Sequence, residues 1–86
     1  MEKIIDVKSL DLVSLLGVAD YNLKLIQSVI PVNIIARGHK IKITGNKSNV
    51  NKVNQIFHEM IETLNSKGSL EKNDVKNLIS MVKVKD

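Results

Sequence analysis

The chain has no cysteine and no tryptophan, and only one tyrosine, one phenylalanine and one proline in 86 residues. Without cysteine there is no disulfide and no thiolate-held metal, a composition that suits a reducing cytoplasm. With Tyr21 and Phe57 as the only aromatic side chains, the core must be built from Ile, Leu and Val. Base stacking, which needs aromatic platforms, has little to work with. No stretch approaches the roughly 20 apolar residues of a membrane span. Met1-Glu2-Lys3-Ile4-Ile5-Asp6 reaches a charge before any apolar run develops, so no secretory leader is read. Acidic residues are the scarcer sign, nine against thirteen basic, for a net charge of +4. That mild excess favours an anionic partner without singling out nucleic acid. All the cations but Arg37 are lysine, a point charge that lacks the planar fork used to read base edges.

Eighty-six residues make one small domain with a single core. Lys3 to Val7 is a β candidate. Ser9 offers an N-cap for a short helix carrying Leu10, Leu12, Val13, Leu15 and Leu16, and Gly17 ends it. Asp20 is placed to cap the next helix with its carboxylate, and Leu23, Ile26 and Ile30 fall at helical spacing before Pro31 stops it. Val32 to Arg37 and Lys40 to Thr44 are strands, joined through Gly38-His39 as an antiparallel hairpin. Asn46 or Ser48 can cap the longest helix, with Val50, Val53, Phe57, Met60 and Leu64 on one stripe, joined by Ile56 and Ile61. Lys67-Gly68 is a stop signal. Val75, Leu78, Ile79 and Val82 mark a final helix over about 70–83. The order is β-α-α-β-β-α plus a C-terminal helix. The expected class is α+β in two layers, a three-stranded sheet covered by helices on one face. Asn33, Ile35, Arg37, Lys40, Lys42 and Thr44 then point away from the helices.

That order, with the short turn Gly17-Val18-Ala19-Asp20 between two helices and the Ile41-Lys42-Ile43-Thr44-Gly45 ending, resembles a type I KH domain over about residues 3–66. In KH domains a G-x-x-G turn lies against the nucleic-acid backbone; here Asp20 stands where the second glycine belongs. A narrower resemblance covers nearly the whole chain. Leu16-Gly17, Asp20, Asn22-Leu23-Lys24-Leu25-Ile26, Ala36-Arg37-Gly38, Ile41 to Gly45, Lys67-Gly68-Ser69-Leu70 and Asp74-Val75 are similar to the N-terminal region of PhoH-like ATPases. Pro31 replaces a common glycine, and His39 the usual Asn or Asp. The resemblance implies a piece of a longer protein whose P-loop ATPase domain lies outside these residues. The chain itself contains no G-x-x-x-x-G-K-[ST] phosphate cradle, so the ATPase activity does not carry over to it.

The candidate nucleic-acid residues are therefore Gly17, Val18, Ala19, Asp20, Tyr21 and Lys24 around the turn, and Arg37, Lys40 and Lys42 on the hairpin. A glycine turn leading into a helix exposes N–H groups that favour anions, and Tyr21 is the one stacking platform nearby. In a KH domain the groove lies between the two helices and an edge strand, here Val32 to Arg37. Against this stands Asp20, whose charge occupies the place of a phosphate. Ile35, on the open sheet face, is a candidate protein contact. His39 and His58 lack partners at ligand spacing apart from Glu62, and two ligands do not make a zinc site. No Ser-His-Asp or paired-carboxylate arrangement is present. The chain alone is read as non-enzymatic, without cofactor or metal. Its expected role is weak, sequence-tolerant RNA binding in support of the missing ATPase domain. The alternative is a protein-interaction or oligomerisation module.

Overall fold

The computed structural model describes residues 1–84. Its elements are β1 (Glu2–Asp6), α1 (Leu12–Leu16), a single 3₁₀ turn (Val18–Asp20), α2 (Tyr21–Val29), β2 (Asn33–Arg37), β3 (Lys40–Thr44), α3 (Lys47–Lys67) and α4 (Lys72–Val84). The three strands form one antiparallel sheet in the order β1-β3-β2. The fold is α+β with the helices on one face, as the alternation of Ile41 and Ile43 with Lys40, Lys42 and Thr44 implies.

Local chemistry explains most of the boundaries. Gly17, at φ 84°, closes α1 by donating its N–H to the Val13 carbonyl. Ile30 is extended because Pro31 follows it, which ends α2 at Val29. In the two-residue hairpin Gly38 takes the positive φ that the turn requires. Asn46 caps α3, its side-chain oxygen accepting from the Asn49 N–H at 2.9 Å. Gly68, left-handed at φ 80°, ends the same helix by donating to the Leu64 carbonyl.

Two expected caps differ. The α1 cap is Asp11, not Ser9: its carboxylate accepts from the Val13 N–H and from the Ser14 hydroxyl, while Ser9 lies in the preceding turn. Asp20 does not cap α2 with its side chain. Its backbone is left-handed (φ 59°, ψ 30°), which takes the carboxylate out of the capping geometry. The first and second strands are also displaced: β1 begins one residue earlier than expected, and β2 begins at Asn33.

The core lies between the sheet and the helices. Ile5, Ile34, Ile41 and Ile43 point inward from the strands and meet Leu15, Ile26, Val53, Ile56, Phe57 and Met60. Val75, Ile79 and Val82 of α4 belong to this same core, so the last helix is a full member of the helical layer. Asn22 is the one buried polar side chain among the described residues. Its amide donates to the Leu15 carbonyl at 3.1 Å, satisfying one of the carbonyls that the end of α1 leaves without a helical partner.

Candidate functional site

The turn between α1 and α2 is tightly wound. Gly17 is at φ 84°, and Ala19 and Asp20 are left-handed at φ 54° and 59°. Two consecutive non-glycine residues in this region are costly, because the Cβ crowds the following carbonyl. Asx residues tolerate it better than most, and Asp20 holds the position where a KH turn has its second glycine. The turn uses several of its own N–H groups: Gly17 donates to Val13, Asp20 to Gly17 and Tyr21 to Val18. A phosphate at this turn therefore meets fewer free donors than the sequence pattern promises.

A cavity of about 660 Å³ opens beside the turn, lined by Val13, Gly17, Val18, Tyr21, Leu70 and Lys72 among others. The start of α4 forms its far wall. Lys72 places its ammonium 4.4 Å from the centre of the Tyr21 ring, so one ring face already carries a cation. Val18 is 80% exposed at the rim. Lys24 stands exposed on α2, beyond the cavity lining.

Arg37, Lys40 and Lys42 lie elsewhere, on the open face of the sheet. The register aligns Asp6, Lys40 and Arg37 in one row across the three strands, and Ile4, Lys42 and Ile35 in the next. Those two rows, without Asp6, line a shallow hollow of about 370 Å³. Ile4 and Ile35 are 56% and 42% exposed. The Lys42 ammonium sits 3.6 Å from the Glu2 carboxylate. The structure thus divides the candidate basic residues between two layers: Lys24 with the turn on the helical side, the other three on the opposite side of the sheet.

One side chain of α2 hydrogen-bonds to the β2 edge strand. The Gln27 amide oxygen accepts from the Ile34 N–H at 2.8 Å. That bond satisfies an outward-facing donor of an edge strand and blunts the edge.

His39 has a partner that sequence spacing concealed. The β1–β3 register brings its Nδ1 to 3.2 Å from the Asp6 carboxylate. The Asp6 carboxyl is held below its ordinary value, chiefly by the Lys8 backbone N–H that it accepts, with His39 and Lys40 adding to the effect. This exposed pair has the ingredients of an acid–base couple but no third group. Among the described residues no set of three His, Cys, Asp or Glu side chains could hold a metal ion. No catalytic arrangement is seen among them, and no helix is long and apolar enough to cross a membrane.

Sequence reasoning missed Lys72 and Leu70 beside the turn and Ile4 beside Ile35. The first pair required knowing that α4 packs on α2. Ile4 follows from strand alternation once β1 is set at Glu2. Comparison with protein-family models, curated proteins and solved structures finds no match to this chain.

Proposed function

We propose that this chain is a KH-like accessory domain that contacts RNA through the α1–α2 turn, in support of the P-loop ATPase domain of a PhoH-like protein. The ordered set of sequence motifs supports the family reading. The observation that carries the RNA reading is the left-handed backbone of Asp20. Asp20 takes a backbone conformation that glycine adopts readily, which supports reading this position as that of the absent second glycine. Contact is electrostatic, made by Lys24 and Lys72 flanking the turn. Tyr21, with one face under Lys72, contributes at most one stacking surface. With two to four phosphate contacts, log K against log salt has a slope of about −1.5 to −3 on a single strand, and sequence preference is slight.

Fluorescence anisotropy of a short single-stranded RNA, titrated with the purified chain at two salt concentrations, tests this reading. Lys24→Ala weakens binding to all sequences alike. Asp20→Gly strengthens it by removing the carboxylate nearest the turn. Binding that ignores both salt and these two substitutions removes the turn from consideration.

A further inference from the structure

The open face of the sheet is a second surface, independent of the turn. Its centre is apolar despite the lysine there. Ile4 and Ile35 lie two strand spacings apart, about 9–10 Å, with the aliphatic stem of Lys42 between them. That width matches the 10–12 Å diameter of an α-helix. Around this floor the charge is uneven. Glu2 is engaged by Lys42, and Asp6 by His39 and the Lys8 N–H. Among the described residues the side chains of Arg37 and Lys40, at the hairpin end, make no hydrogen bond or close ion pair; Lys40 faces Asp6 across the register and feels its charge, while Arg37 has no carboxylate beside it in its row.

We propose that this face docks an acidic amphipathic helix of another protein, with apolar side chains seated on Ile4 and Ile35 and carboxylates meeting Arg37 and Lys40. Two other occupants fit less well. A second copy placed face to face with its strands running the same way opposes Arg37 and Lys40 to the same cations, and with its strands running the opposite way offers them a single carboxylate, Glu2, which Lys42 already engages. RNA bound on a sheet face stacks its bases on aromatic side chains, and the exposed apolar residues here are isoleucines. The β1 edge beside this face also resists self-pairing. An antiparallel β1–β1 contact centred on Ile4 sets Glu2 against Asp6 of the other copy, like charge on like charge.

The probe is a short synthetic amphipathic peptide of leucine, alanine and glutamate, titrated into the isotope-labelled chain and followed by amide chemical shifts. A matched peptide carries lysine in place of glutamate. The acidic peptide is expected to move the amides of Ile4, Ile35, Arg37, Lys40 and Lys42 and to leave those of the α1–α2 turn in place. The lysine peptide moves neither set. Arg37→Glu combined with Lys40→Glu weakens acidic-peptide binding about tenfold or more. Ile35→Ser weakens it without altering the fold, since the side chain is exposed. The proposal is overturned if the acidic peptide shifts other residues or none, if both peptides bind alike, or if short single-stranded RNA moves the sheet-face amides instead. The turn reading is untouched by any of these results except the last, which relocates RNA to the sheet.

Discussion

Asp20 carries the sharpest consequence at the scale of single residues. Its side chain makes no capping bond, so substitution removes no hydrogen bond, while its backbone stays in a region that costs an L-residue about 1–2 kcal/mol. Glycine relieves that cost and gives back part of it in chain entropy, about 0.5–1 kcal/mol. Asp20→Gly is therefore expected to stabilise the fold by about 0.5–1 kcal/mol, read as a raised denaturation midpoint. Gly17 behaves in the opposite way. A Cβ there would lie 3.1 Å from the Asn22 backbone nitrogen at a φ of 84°, so Gly17→Ala destabilises, by about 1–3 kcal/mol. Asn22→Ala leaves the Leu15 carbonyl buried without its partner and costs about 1–3 kcal/mol. Phe57 is fully buried, and Phe57→Ala costs about 3–5 kcal/mol, enough to threaten a domain of this size. The Phe57 position was legible in the sequence because five apolar residues share one helical stripe. The backbone of Asp20 was not. A left-handed residue leaves no periodic trace, and aspartate before a helix reads as a side-chain cap.

At the scale of elements, periodicity, β-branched composition and turn residues identified the three strands and four α-helices, while the 3₁₀ turn Val18–Asp20 was read only as a turn; most element ends follow from glycine, proline and capping residues. What these signals left open was how elements meet. The apolar stripe of α4 announces a buried helix but not its neighbour. In the structure α4 packs on α2 and α3, walls the cavity beside the turn and sets Lys72 over Tyr21. The junction between α3 and α4 is fastened by Asp74. Its carboxylate accepts from the Glu71 backbone N–H at 3.0 Å and from the Lys67 ammonium. The Glu71 N–H is the first cause, and the Lys67 hydrogen bond the second, that holds the Asp74 carboxyl below its ordinary value. The sign follows from that depression. The contribution is present above the unfolded aspartate value of about 3.9 and is lost as pH falls through the lower folded value. The chain should unfold at lower denaturant near pH 3 than at neutral pH, and Asp74→Asn should reduce that difference. Ile79→Ala, which opens a cavity between α4 and the layer beneath, should cost about 2–5 kcal/mol, whereas an appended helix with no share in the core would tolerate it.

At the scale of the whole molecule, the net charge of +4 is not one basic surface. The sequence places Lys24, Arg37, Lys40 and Lys42 within a short stretch, but the elements that carry them set them on different sides of the molecule. Strand alternation sends Arg37, Lys40 and Lys42 to the open face, and the helical layer keeps Lys24 and the turn. Interaxial and layer spacings of about 8–10 Å already separate the two sets, and long side chains pointing in opposite directions add to this. At physiological ionic strength the screening length is about 8 Å, so a charge on one face is weakly felt on the other. If RNA binds at the turn, Arg37→Glu should change its affinity by less than about twofold at physiological salt. Lys24→Glu should weaken it several-fold or more and flatten the salt slope, because one fewer phosphate is neutralised. As salt is lowered and the screening length grows to about 30 Å near 0.01 M, the Arg37 effect should emerge, because the faces then share one field. Anisotropy titrations of the two variants across a salt series measure both trends. Equal weakening by Arg37→Glu and Lys24→Glu at physiological salt would mean that a single strand wraps the β2 edge and touches both layers, and the division of the molecule into two independent surfaces would fall.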